Sequence, residues 1–265
     1  MVSSLELDHD LNIENKLILV TGASSGIGAA AAMDFAKQGA NLVLVARSGE
    51  RLKKVADEIA AFGRRVKYYS VDLSVPDQVR DFAQDMQSDQ GTPDVILHAA
   101  GAGRWLATSD TSMDEFRGMI DLPYLAAAYI TQAFLPEMLK RKSGTIAFVT
   151  SPASWLVWPD AAGYIAARHA LKGFAEALRT EVSPEGINIS LVTLGTVASP
   201  YWEHNPGSRD KLPKPIPYFM PELTTKQASD TVIQAIVKER KRVFKPGIFR
   251  LLAALDGLLP GNIIR

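Results

Sequence analysis

The sequence predicts an α/β fold in which a mostly parallel sheet is doubly wound, with helices on both faces. Short apolar runs typical of strands alternate with helical stretches from Lys16 onward, as in chains built from βα units. A glycine-rich turn joins the first apolar run to the first helical stretch. The chain has 265 residues, of which 47% are hydrophobic, so it is long enough to bury the core of one large domain.

Each element is predicted from a local pattern. The predicted strands are residues 17–21, 41–46, 65–71, 94–101, 144–151, 187–195 and 242–245. The predicted helices run from the glycine-rich turn to about residue 38, then cover residues 49–62, about 76–88, 113–139, 161–180, 225–240 and 247–259. Gly39 is a C-cap glycine of the first helix, and Gly63 closes the second. Ser74 and Pro76 supply an N-cap and a first-turn proline for the third.

Pro123 interrupts the long helical stretch at residues 113–139. A proline inside a helix removes one backbone hydrogen bond and bends the chain. We therefore expect at this position either a functional kink or a simple break between two helices.

The stretch from residue 196 to 224 contains many prolines and aromatic residues and shows no clear period. A loop of that length inside a compact domain is usually functional, and often a lid. We expect a single domain over residues 1–265, with a core at 15–245, a substrate lid at 196–224 and a C-terminal apolar extension at 246–265.

Composition excludes several classes of function. Lysine plus arginine equals aspartate plus glutamate at 29 each, so the chain lacks the positive field that nucleic-acid binding requires. There is no cysteine, and the four histidines lack the spacing of metal ligands, which leaves only carboxylates for binding Mg²⁺. The first fifteen residues are too acidic and too polar for a secretory signal, so we expect a cytoplasmic protein.

The glycine-rich turn lies between the first predicted strand and an alanine-rich helix. Glycine permits the tight turn and lets backbone N–H groups approach a pyrophosphate at the helix N-terminus, although turn geometry alone also requires glycine. No lysine follows in the position that a P-loop requires, so that site is excluded. The residues expected to hold the pyrophosphate of a dinucleotide are Gly22, Ser24, Ser25, Gly26, Ile27 and Gly28.

The end of the second strand predicts the type of dinucleotide. An acidic residue there would bind the 2′-hydroxyl of NAD, whereas a cation would bind the 2′-phosphate of NADP. The chain has Ala46, Arg47 and Ser48 at this point, and the forked donors of Arg47 suit a phosphate. The sequence therefore favours NADP(H), with NAD(H) as the alternative; Arg47 could also simply open the solvated face of the next helix.

The segment from Ser151 to Arg168 contains a candidate proton donor. On a helix over residues 161–180, Tyr164 and Arg168 are four residues apart and share one face. A cation beside a phenol favours the phenolate form, so Tyr164 could act as a general acid and base. The same spacing also occurs on ordinary solvated or half-buried helix faces.

Taken together, these motifs resemble those of the short-chain dehydrogenase/reductase family over about residues 15–245. The matching residues are Thr21-Gly22-x-x-x-Gly26-Ile27-Gly28, Asp72-Leu73, His98-Ala99-Ala100-Gly101, Ser151 and Tyr164. The resemblance implies a single Rossmann-type domain, a nicotinamide cofactor, and hydride transfer between that cofactor and a carbonyl or alcohol.

The resemblance also implies roles for individual residues. Ser151 would polarise the substrate oxygen, Tyr164 would exchange its proton with it, and Asp72 would contact the adenine. Further cofactor contacts are implied for Leu73, Ala99, Ala100, Gly101, Tyr164, Arg168, Gly195 and Val197.

The chain departs from the family pattern around the catalytic tyrosine. Arg168 stands where the family has a lysine that holds the nicotinamide ribose and relays protons, and Asp121 stands where the relay has an asparagine. The family's NAAG turn is HAAG here, and Leu194 replaces the proline before Gly195. We expect Arg168 to supply charge to the catalytic site, and we expect an ion pair between Asp121 and Arg168 to replace the usual asparagine and lysine.

These departures leave more than one function open. The main hypothesis is an oxidoreductase with Ser151, Tyr164, Arg168 and Asp121 as catalytic residues. The alternative is a catalytically weak or silent member that binds nucleotide as a sensor or scaffold. A non-redox reaction such as dehydration ranks last, because Ser151 and Tyr164 are both retained.

Aromatic residues near the predicted site favour a hydrophobic ketone or secondary alcohol, of a lipid-like, steroid-like or polyketide-like kind, over a sugar. The expected substrate contacts are Trp155, Trp158, Tyr201 and Trp202, with Leu156, Val157, Tyr218 and Phe219 nearby. The same aromatic residues could instead form a subunit interface.

The C-terminus is basic at residues 238–250 and apolar at 251–264. The apolar part is too short to span a bilayer. It could rest on an anionic membrane surface, but packing against the core or a partner subunit is favoured. The family resemblance implies a homodimer or homotetramer.

Overall fold

A computed structural model describes residues 10–213 and 220–258. The strands are β1 (Leu17–Thr21), β2 (Asn41–Ala46), β3 (Val66–Ser70), β4 (Val95–His98), β5 (Gly144–Thr150), β6 (Ile187–Leu194), β7 (Val197–Ala198), β8 (Leu223–Thr224) and β9 (Arg242–Lys245). The α-helices are α1 (Gly26–Lys37), α2 (Gly49–Ala60), α3 (Pro76–Asp89), α4 (Met113–Ile120), α5 (Ala126–Arg141), α6 (Ala162–Val182), α7 (Tyr201–His204), α8 (Thr225–Val237) and α9 (Ile248–Leu258).

Seven strands form one parallel sheet in the order β3-β2-β1-β4-β5-β6-β9. The strand order reverses between β1 and β4, where Thr21 is paired with His98. A crevice opens outside the carboxyl ends of the strands at such a reversal, and ligands bind there in sheets of this kind. The topology therefore places the glycine-rich turn after β1 beside the turn after β4.

The sheet is covered on both faces, which explains why its strands read as continuous apolar runs. Alternate side chains of β1 enter opposite cores, with Ile18 and Val20 on one face and Leu19 on the other. Helices α1, α2 and α8 cover the first face, and α3, α5 and α6 cover the second. The predicted α/β class, with helices on both faces of a parallel sheet, is confirmed.

The start of α3 differs from the prediction. Pro76 is the first helical residue as expected, but the N-cap is Val75 and it makes no side-chain capping bond. The Ser74 hydroxyl instead donates to Asp72 Oδ1 at 2.7 Å. A hydrogen bond from a hydroxyl to a charged carboxylate is stronger than a hydrogen bond between a hydroxyl and a neutral backbone N–H. The Ser74 hydroxyl therefore binds Asp72 and does not cap α3.

The interruption at Pro123 is a π-helical turn at Asp121–Leu125 that joins α4 directly to α5. Proline has no N–H to donate to the carbonyl four residues earlier, and a wider turn accommodates the missing bond. Of the two predicted alternatives, the structure shows a local distortion of one continuous path, not a loop between separate helices.

The lid region is built from short pieces. Helix α7, a 3₁₀ turn at Arg209–Lys211 and the small parallel pair β7 and β8 occupy the described part of residues 196–224. Tyr218 and Phe219, which we predicted to be lid aromatics, lie outside the described residues.

Helix α9 covers part of the carboxyl end of the sheet. Phe249 is buried with only 3% of its surface exposed, while Ile248, Leu251 and Leu255 face outward. Residues 259–265 of the predicted C-terminal extension lie outside the described residues. Within the described chain, no helix has the length and apolar character needed to cross a bilayer.

Candidate active site

A cavity of about 530 Å³ lies at the carboxyl ends of the central strands. Most of the residues predicted from the sequence line it. They are Gly22, Ser24, Ser25, Gly26, Ile27, Gly28, Arg47, Leu73, Ala99, Ala100, Gly101, Ser151, Trp158, Tyr164, Arg168, Gly195, Val197, Tyr201 and Trp202. Three other predicted site residues, Asp72, Asp121 and Trp155, are not among its lining residues.

The glycine-rich turn is too tight for side chains. A Cβ on Gly28 would lie 2.4 Å from the carbonyl oxygen of Gly22, and one on Gly22 would lie 2.7 Å from Ala100. Gly22 and Gly26 both have positive φ values, which favour glycine. Ser25 makes no side-chain cap at the start of α1, so the first N–H groups of that helix are left for a ligand. The turn can therefore cradle a pyrophosphate.

Two exposed arginines stand at the far end of the cavity. Arg47 follows β2, and its carbonyl accepts a hydrogen bond of 2.8 Å from the hydroxyl of Ser70. Arg51, which was not predicted, lies in the first turn of α2, after the N-cap Ser48, and also lines the cavity. Its position in the first turn of the predicted helix after Arg47 was the available signal. Neither guanidinium pairs with a carboxylate in the described residues, so both can bind an anion.

Asp72 is half-exposed and lies between the lining residues Val71 and Leu73, but it does not line the cavity itself. Its carboxylate accepts hydrogen bonds from the backbone and hydroxyl of Ser74. Burial acts to raise the pKa of Asp72, but the bonds from Ser74 and the charge of Arg47 outweigh it and hold the pKa below its ordinary value. The structure thus gives the Asp72 carboxylate partners within its own loop, and the adenine contact implied by the resemblance stays a prediction.

Two serines after β5 have different positions. Ser151 lines the cavity, and its hydroxyl oxygen accepts from the Ala153 N–H at 3.0 Å. Ser154 is fully buried, contacts the hydroxyl of Thr150 at 2.5 Å and donates to the carbonyl oxygen of Arg168 at 3.0 Å. Ser154 therefore fixes helix α6, while Ser151 remains available to a ligand.

Tyr164 and Arg168 form a buried pair on the first turns of α6. Only 5% of Tyr164 and 6% of Arg168 is exposed, and the guanidinium carbon lies 4.8 Å from the centre of the phenol ring. A Cβ on Gly101 would lie 2.9 Å from Arg168 Nη2, so the guanidinium rests against that backbone. Among the described residues, no carboxylate pairs with Arg168, and its Nε has no hydrogen-bond partner. A buried guanidinium therefore lies against the ring of Tyr164 at the wall of the cavity.

The predicted ion pair between Asp121 and Arg168 is not present. Asp121 is paired with Arg117 instead, at 3.7 Å from its Nε, because the two residues lie one helical turn apart. The structure therefore does not support a catalytic role for Asp121, and the charge of Arg168 is not cancelled by this carboxylate.

Trp105 is the main site residue that the sequence analysis missed. It is 95% buried, and its ring centre lies 5.2 Å from that of Trp158, 5.3 Å from that of Tyr164 and 6.0 Å from that of Trp202. Trp105 lies four residues after Gly101, for which the family resemblance implied a cofactor contact. That position indicated that the segment lies near the site, but it did not single out Trp105.

The lid is tied to the segment that carries Trp105. The Tyr201 hydroxyl donates to the Gly103 carbonyl at 2.6 Å, and Asn205 and Ser208 accept from the backbone N–H groups of Gly103 and Trp105. Burial raises the pKa of Tyr201 well above its ordinary value, so this hydroxyl stays protonated. These bonds hold the lid over one side of the cavity.

Trp155 packs against the protein and does not line the cavity. Its indole N–H donates to Thr193 Oγ1 at 3.1 Å, and Lys172 Nζ lies 4.0 Å from the ring centre. The predicted substrate contact at Trp155 is therefore corrected: the residue packs against strand β6 and the basic side chains of α6 and β9.

Comparisons with known proteins identify relatives over most of the chain. The short chain dehydrogenase family model matches residues 16–209. An uncharacterized oxidoreductase of Mycobacterium tuberculosis is 32% identical over 258 residues, covering 96% of this chain and 73% of the relative. A fatty acyl-CoA reductase of Acinetobacter baylyi is 30% identical over 245 residues, covering 92% of this chain and 80% of the relative. The structure of an alcohol dehydrogenase from Thermococcus sibiricus, complexed with 5-hydroxy-NADP, is similar with a TM-score of 0.75 and 28% identity, covering 86% of this chain and 94% of that one.

Proposed function

We propose that this chain, which belongs to the short-chain dehydrogenase family, transfers a hydride between NADP(H) and a hydrophobic ketone or secondary alcohol. The observation that carries the proposal is the buried pair of Tyr164 and Arg168, with 4.8 Å between the guanidinium carbon and the phenol ring centre, in a cavity that Ser151 also lines. A buried cation beside a phenol in the wall of a cavity is typical of an enzyme that transfers protons. It therefore favours an enzyme over a protein that only binds nucleotide.

The residues of the cavity fit a nicotinamide dinucleotide. The glycine-rich turn leads directly into α1, whose N-cap Ser25 makes no side-chain hydrogen bond, so the first N–H groups of the helix are open to a pyrophosphate. Arg47 and Arg51 would bind the 2′-phosphate, and the forked guanidinium of Arg168 would contact the nicotinamide ribose. The bound nicotinamide supplies or accepts the hydride.

Two side chains act on the oxygen of the substrate. In the direction of reduction, the Ser151 hydroxyl donates a hydrogen bond to the substrate carbonyl, and Tyr164 gives its proton to that oxygen. The positive charge of Arg168 stabilises the phenolate that remains. Arginine holds its protons too tightly to pass them on, so Tyr164 would be reprotonated by another route than the side chain at 168. Oxidation of the alcohol uses the same groups in reverse.

The proposed preference for NADP(H) is based on the charge of the residues at the end of β2 and the start of α2. No acid directly follows β2, and neither Arg47 nor Arg51 forms an ion pair among the described residues. The similar Thermococcus sibiricus enzyme was solved with a derivative of NADP. NAD(H) would bind with the loss of the phosphate contacts alone.

The proposal of a hydrophobic substrate is based on the residues that line the cavity. Trp105, Trp158 and Trp202 form an aromatic cluster against Tyr164, and Leu212 and Phe249 line the same cavity. Such walls favour an apolar substrate body. One relative is named a fatty acyl-CoA reductase, which is consistent with a substrate of this kind.

The decisive test follows NADPH oxidation with a panel of apolar ketones and small sugars. We expect turnover of the ketones by the wild type and a loss of kcat of about 10²-fold or more in Tyr164→Phe. Binding of NADPH by that variant should be unchanged, and Tyr68→Phe is the matched control because Tyr68 lies on edge strand β3, away from the cavity.

Three results would count against the proposal. An unchanged kcat in Tyr164→Phe would remove the assigned proton donor. Turnover of the sugars alone would remove the hydrophobic substrate. An inert wild type that binds NADPH and gains activity as Arg168→Lys would favour the silent nucleotide-binding alternative.

A further inference from the structure

A second phenol lies beside that of Tyr164. Tyr201 on helix α7 lines the same cavity, and the centres of the two rings are 6.5 Å apart at an interplanar angle of 57°. Of the tyrosines that the structure describes, these two line the cavity and the others do not. Tyr164 belongs to helix α6 of the core and Tyr201 to the lid, so the pair forms where the lid packs on the core.

Both side chains meet the backbone at Gly103. A Cβ on Gly103 would lie 3.0 Å from Cδ2 of Tyr164, and the carbonyl oxygen of the same glycine accepts a hydrogen bond of 2.6 Å from the Tyr201 hydroxyl. The φ angle of Gly103 is 136°, a value that favours glycine. The lack of a side chain at residue 103 therefore lets both phenols reach one piece of backbone.

The two phenols differ in how firmly they hold their protons. Burial raises the pKa of Tyr201, and the charge of Tyr164 and a hydrogen bond to it raise this pKa further, whereas the charge of Arg168 acts in the opposite direction. Two close phenols do not ionise together, because the first charge opposes the second. When Tyr164 carries the charge, Tyr201 keeps its proton and can donate it in a hydrogen bond.

Few other charged groups face this pair. The other ionisable side chains among the described lining residues are Arg47, Arg51, Arg168 and His204. None of them is a carboxylate, so none competes as an acceptor for the Tyr201 hydroxyl. Arg104, on the segment that carries Gly103, is paired with Glu115 at 2.9 Å. The acceptors near the Tyr201 hydroxyl are therefore the Gly103 carbonyl and the oxygen of Tyr164.

A phenol has one proton to donate, and in the structure the Tyr201 hydroxyl donates it to Gly103. We infer that Tyr201 turns this hydrogen bond to Tyr164 once Tyr164 has given its proton to the substrate, and that it thereby stabilises the phenolate as a positioning residue. The reason is that an ionised oxygen accepts a stronger hydrogen bond than a neutral carbonyl. This inference rests on the proposed function, in which Tyr164 is the proton donor.

Ser208 provides a matched control for the role of Tyr201 in holding the lid. Its hydroxyl oxygen accepts from the N–H of Trp105 at 2.9 Å, so it ties the lid to the same segment as Tyr201 does. Ser208 is buried and is not among the residues that line the cavity. Ser208→Ala therefore loosens the lid without removing a hydroxyl beside Tyr164.

The pH dependence of alcohol oxidation tests the inference, because the phenolate of Tyr164 takes up the proton of the alcohol. Without the Tyr201 hydroxyl the charged form is less stable, so Tyr164 keeps its proton to higher pH. We expect Tyr201→Phe to move the rise of kcat/KM for cyclohexanol with NADP⁺ upward by about one pH unit. Ser208→Ala should lower kcat/KM without moving the rise. An unmoved rise in Tyr201→Phe, or an equal displacement in Ser208→Ala, would overturn the inference.

A second measurement does not depend on turnover. In protein labelled with ¹³C at tyrosine Cζ and saturated with NADP⁺, the Tyr164 signal is assigned by its loss in Tyr164→Phe. We expect its titration midpoint to lie at higher pH in Tyr201→Phe than in the wild type and Ser208→Ala. Equal midpoints in all three proteins, or a Tyr164 that stays neutral until the protein unfolds, would overturn the inference even if no alcohol is oxidised. A displaced midpoint without turnover of any alcohol or ketone would count against the proposed function alone.

Discussion

At the scale of single residues, burial and partners separate the side chains that serve the site from those that support it. Ser151, Tyr164 and Arg168 line the cavity, whereas Ser154 and Trp155 are engaged with their own neighbours. Motif spacing predicted Tyr164 and preferred Ser151 over Ser154, and the structure places Tyr164 and Ser151 at the cavity. Spacing could not identify Trp105, because its importance comes from contacts with three aromatic rings from distant parts of the chain.

Arg47 should determine cofactor preference. We expect Arg47→Ala to raise the KM for NADPH by about tenfold or more, because charge-assisted hydrogen bonds to the 2′-phosphate are lost. The KM for NADH should change little, since NADH has no phosphate at that position. Steady-state kinetics with both cofactors checks this, and an equal rise for both would contradict the assignment.

His98 should make the stability of the fold depend on pH. It is buried beside Thr131 and Phe148, and burial lowers the pKa of His98 from 6.5 to about 3. In the unfolded chain His98 takes up a proton near pH 6.5, whereas in the folded chain it stays neutral until the pH is near 3. The stability due to neutral His98 is therefore present above pH 6.5 and is lost as the pH falls toward 3.

Denaturant unfolding of wild type and His98→Gln at pH 7.5 and pH 5 measures this effect. We expect the wild type to lose more unfolding free energy than His98→Gln over that interval. The matched control is His204→Gln, which changes an exposed histidine of the lid. An equal loss in wild type and His98→Gln would show that His98 does not contribute to the pH dependence.

At the scale of elements, the strands were predicted closely because both faces of the sheet are buried and each strand is an apolar run. The main difference in β4 is that the strand ends at His98, since the following Ala-Ala-Gly segment forms the cavity wall. Two local features could be found only from the three-dimensional structure. One is the π-helical turn at Asp121–Leu125, and the other is the bond from the Ser74 hydroxyl to Asp72.

The turn between β1 and α1 should tolerate no side chain at Gly28. A Cβ there would meet the carbonyl oxygen of Gly22 at 2.4 Å, so Gly28→Ala must displace backbone. We expect the unfolding free energy to fall by about 1–3 kcal/mol and NADPH binding to be lost or greatly weakened.

The matched control is Gly118→Ala in helix α4, where a Cβ would have open space. That change should stabilise the protein by about 0.5–1 kcal/mol, because alanine is the better helix former, and should leave NADPH binding intact. Denaturant unfolding and fluorescence titration with NADPH measure both quantities. Normal cofactor binding by Gly28→Ala would contradict the role given to the turn.

At the scale of the whole molecule, the sheet order creates the site and helix α9 closes one side of it. Phe249 lines the cavity, while Ile248, Leu251 and Leu255 form an outward apolar stripe with exposures of 43%, 55% and 38%. Deleting the C-terminus would therefore open the cavity as well as remove the stripe. Point changes on the stripe are the cleaner test of its role.

We expect the stripe to be buried between copies of the chain, in line with the homodimer or homotetramer that the family resemblance implies. The double variant Leu251→Gln, Leu255→Gln should shift the mass measured by light scattering toward the monomer. Met113→Gln is the control, since Met113 is 91% exposed on another helix. An unchanged mass together with loss of binding to anionic liposomes would instead assign the stripe to a membrane surface.

The sequence by itself determined the α/β class, the order of the strands along the chain and the glycine-rich turn, and it predicted Ser151 and Tyr164 as a pair, because these depend on local patterns and fixed spacings. Only the tertiary structure decided the partners of Asp72, Asp121 and Trp155, and only it brought Trp105 and Phe249 to the cavity. Those outcomes depend on which distant segments of the chain are in contact. A contact between distant segments is not encoded by any local pattern in the chain.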